Sequence, residues 1–250
     1  MVEKTKFDRV LGDFRVRSAQ RIQGLTFTDS DALGAVALAL RMLDRSETVH
    51  DAAVSSAMSA DEAAYTASEA LRESESQVEQ VYDRLYNALQ MRSYGLALDN
   101  PDAAAAMRRD MDRAGTALSP SAFRELGVDR TLDTGLAVVT QAKLHLPEDN
   151  AQLTAFSVQL GVLSQARDTR DTLEGTVAQA MVNLTQARDQ ARRFYSSARN
   201  FLKGALDIED RAESIGRLMP PLSAIYNSSP TGPSEDSDPP DPESPPNPTT

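Results

Sequence analysis

Apolar positions recur every three or four residues through the middle of the first half of the chain. Ala64, Ala67, Leu71, Ser74, Val78, Val81, Leu85 and Ala88 make a continuous heptad seam, the spacing that lays one stripe along a helix. The pattern predicts a helix over 60–94. Ser59 and Glu62, at capping-box spacing, are expected to open it. Tyr82, Tyr86 and Tyr94 flank the seam. With so many small residues the stripe needs a partner helix, so Leu71, Val78, Val81, Leu85, Tyr82 and Tyr86 are expected to form an interaction seam.

A second long pattern runs through Leu153, Phe156, Leu160 and Leu163, turns polar at "SQARDTRDT", and resumes with Leu173, Val177, Met181, Leu184, Ala187, Ala191, Phe194, Ala198, Phe201 and Leu202. One bent helix or two helices joined near 166–170 would both fit, because nothing there is a strong breaker. "DALGAVALALRML" predicts a more thoroughly buried helix after a Thr28 or Asp29 cap. "TLDTGLAVVTQAKLHL" reads as helix, although "LAVV" alone would suit a strand. "ALDIEDRAESIGRLM", after Gly204, predicts a short helix stopped by Pro220 and Pro221.

Punctuation supports the helical reading. Asn100 before Pro101, with Asp102 next, has the order of an N-cap followed by a first-turn proline and an early acid. Gly115 is the expected stop. Ser119, Pro120 and Gly127 repeat this grammar on a smaller scale, and "PEDN" at 147–150 is expected to open another helix with Pro147 at its start. "RLYNALQMRSYG" can also be laid on "RFYSSARNFLKG", matching Arg, Tyr and Gly. That match raises an internal duplication of about 29–118 on 131–218.

Composition narrows the chemistry. The 250 residues contain no cysteine and no tryptophan, which excludes disulfides, thiolate zinc sites and thiol nucleophiles. The net charge is -11, a field that repels phosphate backbones. Lys4, Lys6, Arg9, Arg15, Arg17 and Arg21 are the nearest thing to a basic arm over residues 1–28, and Asp8 and Asp13 dilute them. No nucleic-acid partner is expected. From Asn227 the chain has eight prolines, several acids and no base, so residues 227–250 are expected to be a disordered acidic tail. "ALGAVALAL" is too short to span a bilayer, and no apolar leader follows Met1. A soluble cytoplasmic protein without an integral membrane span is the expectation.

His50 stands three places after Glu47, the spacing of the Glu-x-x-His motif in di-iron carboxylate bundles. This likeness covers four residues. The second histidine, His145, has Ala142 where a glutamate would be needed, so Glu47 and His50 are rejected as metal ligands. "DRSETVHD", residues 44–51, is read instead as an exposed turn, a boundary between two helices. His145 is expected near a helix C-terminus. No nucleophile elbow, P-loop or dinucleotide motif is present, and no catalytic residue or cofactor is assigned.

The sequence therefore predicts an all-α protein: an elongated antiparallel bundle over 29–226 with long coiled-coil-like helices, between the arm and the tail. The expected function is a non-enzymatic structural or protein-interaction bundle, open to forming a homo-oligomer. A membrane-active or pore-forming helical protein is the alternative, and a carboxylate-bundle metal enzyme the second.

Overall fold

A computed structural model describes residues 4–113, 118–147 and 149–224. Every regular element among them is helical: α1 (Lys6–Gln23), α2 (Ser30–Asp99), α3 (Pro101–Arg113), α4 (Pro120–Arg124), α5 (Val128–His145), α6 (Ala151–Ile208), a 3₁₀ turn (Ala212–Ser214) and α7 (Ile215–Leu218). The fold is all-α, with long helices packed on one another. The expected tail from Asn227 and the expected stop at Gly115 lie outside the described residues.

Several helix starts stand where the sequence puts them. Asp29 Oδ1 accepts from the amides of Asp31 and Ala32 at 2.8 and 3.0 Å, opening α2. Asn100 and Ser119 cap α3 and α4 in the same way, each before its proline. The start of α6 differs from expectation. Asn150, not Pro147, is the cap: its side-chain oxygen takes the amides of Gln152 and Leu153, both at 3.1 Å.

The larger corrections concern continuity. α2 runs unbroken through "DRSETVHD" and through Gly95, so residues 44–51 are neither a turn nor a boundary between two helices, and Ser59 caps nothing. No proline interrupts residues 30–99, and a helix with a buried face does not stop merely because its outer face is polar. α6 is one helix, passing through the polar 164–172 and through Gly204. It ends at Ile208, and in the turn that follows Asp210 takes a left-handed φ of 53° while the Arg211 amide reaches back to the Leu206 carbonyl at 2.7 Å. Aspartate tolerates that region better than most residues.

The chain forms two compact units, Ala52–Gln186 and Lys4–Asp51 with residues from Ala187 on. Both long helices contribute to both units, so the division cuts across the sequence rather than following the expected bundle limits.

In the first unit, the C-terminal part of α2 packs with α3, α4, α5 and the N-terminal part of α6. Leu71, Val78, Tyr82, Leu85, Leu89, Met107, Phe123, Val138, Phe156, Leu160 and Leu163 are among its core residues. The Tyr82 ring stacks on Phe123, centroids 3.8 Å apart, and its hydroxyl donates to the Leu118 carbonyl at 2.7 Å. α5 and α6 approach closely at Gly135, where an added Cβ would lie 2.5 Å from a Leu160 methyl.

In the second unit, the N-terminal part of α2 runs antiparallel to the end of α6, and α1 lies antiparallel to α2 and parallel to α6. Ser46 Oγ donates to the Ala191 carbonyl at 3.1 Å, and Glu209 accepts from Thr28 and Asp29 at the other end. Fully buried alanines dominate this seam: Ala32, Ala39, Ala191, Ala198 and Ala205, with Leu11, Ile22, Leu43, Tyr195 and Leu202 filling between them. Residues 1–28 are thus not an arm in the part described. α1 opens with a capping box between Thr5 and Asp8 and buries Val10, Leu11 and Ile22.

Candidate functional site

Among the described residues, the densest cluster of buried charge lies in the second unit, where α1, α2 and α6 meet. It is built from Asp8 and Arg15 on α1, Ser46, His50 and Asp51 on α2, and Arg188 on α6. Asp8 is held by its own helix start. Thr5 donates to Asp8 Oδ2 through its amide and its hydroxyl, both at 2.8 Å. One carboxylate therefore caps its helix and reaches across the bundle.

Across the bundle, Arg188 binds Asp8 in bidentate fashion, Nε to Oδ1 at 2.8 Å and Nη2 to Oδ2 at 2.5 Å, the planar fork for which arginine is suited. His50 Nε2 lies 2.9 Å from Asp8 Oδ1, and its Nδ1 lies 2.9 Å from Asp51 Oδ1. Both ring nitrogens are thereby engaged by carboxylate oxygens. Asp51 also accepts from Arg15 at 3.1 Å, and Arg15 donates to the Ser46 carbonyl at 2.7 Å. The Asp8 side chain is 1% exposed, His50 2% and Arg15 3%, while Asp51 opens to solvent at 52%.

The electrostatics follow from these contacts. Burial pushes the Asp8 carboxyl up, but donation from Arg188, His50 and Thr5 together outweighs it and holds the group well below the usual carboxylate range. Asp51 follows the same pattern more mildly: burial raises it, and His50 and Arg15 bring it below its ordinary value. Two carboxylates thus flank one imidazole, each bound by a guanidinium, in a charge-assisted network that opens to solvent at Asp51.

A carboxylate–imidazole–carboxylate chain resembles the base arm of a hydrolytic triad, but a general base needs a ring nitrogen open to the proton it takes. Both nitrogens of His50 are occupied. What the arrangement does is tie α1 to α2 and α6 at one level.

The residues that the sequence singles out separate in space. His50 is not on an exposed turn; it is buried mid-helix, and its companions are Asp8 and Asp51 rather than Glu47. Glu47 is exposed and faces a shallow groove with Arg15, Arg41 and Asp44. No group of three His, Cys, Asp or Glu residues able to hold a metal occurs among the described residues. His145 sits in the last turn of α5, 3.5 Å from an Asp110 oxygen.

Of the interaction seam, Leu71, Val78, Tyr82 and Leu85 are buried in the first unit's core, with Val81 and Tyr86 at its edge. The chain's own α3, α4, α5 and α6 cover it. The buried stripe runs Leu71, Ser74, Val78, Tyr82, Leu85, Leu89 and Ser93, in steps of three, four and four. That eleven-residue rhythm follows a straight helix better than a strict heptad does, and it sets Tyr82 and Leu89 where the heptad would put Val81 and Ala88.

Sequence reasoning missed Asp8, Asp51, Arg15 and Arg188 as a group. Their signal was present in part. Leu43, Ser46, His50, Val54 and Ala57 keep the buried spacing straight through the polar window, which places His50 on the inner face. Among the described residues no helix is long and apolar enough to cross a membrane. Compared with protein-family models, curated proteins and solved structures, the chain matches none.

Proposed function

We propose that this chain is a non-enzymatic cytoplasmic helical scaffold that works through protein contact, with self-association as its simplest form. The observation that carries the reading is an exposed apolar stripe at the C-terminal end of α2. Met91, Tyr94 and Leu98 follow one another at steps of three and four, and are 75%, 63% and 89% exposed. Single exposed apolar residues are ordinary on a protein surface, whereas three on one helix face invite a partner.

The buried network supports the same reading. Its charged groups bind one another and the Ser46 carbonyl, and they fix α1 against the long helices. A scaffold needs that rigidity and no reactive centre.

Light-scattering mass measurement of the full chain tests the proposal. Wild type is expected above the chain mass of 27.1 kDa, and the triple variant Met91→Glu/Tyr94→Glu/Leu98→Glu near it, with helicity unchanged by circular dichroism. A monomer mass for wild type at every concentration would overturn self-association through this stripe.

A further inference from the structure

Two features of the outer face of α2 lack a cause within one chain. Asp99 closes the helix, where the free carbonyls favour a cation, and the last turn carries no base. Among the described residues neither Asp99 nor Arg92, both exposed, has an ion-pair partner. Gly95 lies inside the helix, where glycine is the least favourable residue after proline. Beyond the backbone of its own turn, nothing lies within 4 Å of where its Cβ would stand.

Both features belong to the apolar stripe of Met91, Tyr94 and Leu98. At about 100° per residue, Met91 and Leu98 share the centre of the stripe, Tyr94 and Gly95 stand to either side of it, and Arg92 and Asp99 follow one flank together. α3 leaves this face open. It folds back on the opposite side of α2, where Arg108 Nε donates to Ser93 Oγ at 3.0 Å and Met107 and Met111 join Leu89 in the core.

The order Met91, Tyr94, Gly95, Leu98 is self-complementary. A two-fold axis passing between Tyr94 and Gly95 sets Met91 opposite the partner's Leu98, and Tyr94 opposite the partner's Gly95, where no side chain stands in its way. The same operation brings Arg92 to the side of the partner's Asp99, offset by about 3 Å along the helix at a rise of about 1.5 Å per residue. Each contact occurs twice, as an isologous interface requires. Each α2 end thereby gains the cation it lacks. A parallel pair cannot do this, because it turns the flank that carries both charges toward the opposite flank of its partner.

We propose that two copies of this chain pair antiparallel through the ends of their α2 helices, about an axis between Tyr94 and Gly95. The pairing rests on self-association through this stripe and specifies its register. Contact over about two helical turns sits at the small, weak end of protein interfaces, so concentration is part of the test.

Light-scattering mass of the full chain across concentration, with circular dichroism for helicity, tests the pairing. Wild type is expected to pass from monomer to dimer as concentration rises. Arg92→Glu opposes like charges and should raise the dimer Kd about tenfold. Adding Asp99→Arg restores the pair with its signs exchanged, and should return the Kd to within about threefold of wild type. Gly95→Leu fills the seat of the partner's Tyr94 and should also weaken pairing about tenfold, with helicity kept or raised. A wild type that stays at its monomer mass at every concentration overturns the pairing together with self-association. If wild type associates and the Met91→Glu/Tyr94→Glu/Leu98→Glu variant does not, while Arg92→Glu and Gly95→Leu behave as wild type, the pairing alone is overturned. So it is if Arg92→Glu/Asp99→Arg pairs no more tightly than Arg92→Glu.

Discussion

Replacing Asp8 with Asn tests the buried network where it is most concentrated. The substitution keeps the shape but removes the charge, and turns one acceptor oxygen into a donor amide. Asp8 accepts from Arg188 twice, from Thr5 twice and from His50, and its side chain is 1% exposed. An amide cannot satisfy donors on both sides. Breaking a buried ion pair by removing one partner costs about 3–5 kcal/mol. Arg188 is 20% exposed and can recover some hydration, so the lower end, about 3 kcal/mol, is expected. That is a large share of the ~5–15 kcal/mol that keeps an ordinary domain folded. Urea unfolding at pH 7, followed by circular dichroism, measures it. Asp13→Asn on the exposed side of the same helix is the control, expected within about 0.5 kcal/mol of wild type. The sign with pH is also fixed. Asp8 is held below its unfolded value, so its contribution is present above the ordinary carboxylate range and is lost as pH falls through the folded value. Wild type and Asp8→Asn should therefore converge as the solution is acidified below about pH 4. An Asp8→Asn loss no larger than that of Asp13→Asn, or a gap that stays constant into acid, would refute the network as a stabilising lock.

Two further outcomes follow from packing. Gly135→Ala forces its methyl against Leu160 in the first unit's core and should cost about 1–2 kcal/mol net, as overpacking outweighs the gain in helix propensity. Gly161→Ala and Gly175→Ala, with open space around them, should each gain about 0.5–1 kcal/mol, and urea midpoints separate the two classes. Tyr82→Phe and Tyr195→Phe keep the ring but orphan the carbonyls of Leu118 and Pro220, so each should lose about 1 kcal/mol; unchanged melting in both would mean that the hydroxyls contribute nothing.

The legible part of this fold is the part carried by local chemistry. Asp29, Asn100 and Ser119 can be named as caps because a cap needs only its own side chain and the next few amides. The all-helical class follows from stripes longer than any strand. A heptad reading of the 71–93 stripe slips by one residue after Val78, since a heptad and an eleven-residue rhythm coincide over short stretches and diverge only at Tyr82. The helix expected to end near 94 runs on through Gly95, and the one expected to end before Gly204 passes through it, because each glycine lies inside a helix with tertiary packing on its flanks, and such packing overrides a single glycine's cost of about 1 kcal/mol. The buried network is hidden for a different reason. Asp8 and Arg188 are 180 residues apart in sequence, and no spacing rule connects them. Only the steps from Leu43 through Ser46 and His50 to Val54 point inward, and the surrounding polar residues mask them.

The alanine seam of the second unit gives that unit an unusual mutational asymmetry. Where a core is filled by leucines, truncation is the damaging change, because it opens a void. At Ala32, Ala39, Ala191, Ala198 and Ala205 only a methyl is left to remove, and the helices have closed over the space. Nearly every substitution at these positions adds volume, and every added methyl pushes α1, α2 or α6 out of the alignment that Asp8, His50 and Arg188 require. These sites should thus accept glycine or serine far more readily than valine. The unit is specified as much by the groups its sequence withholds as by those it supplies.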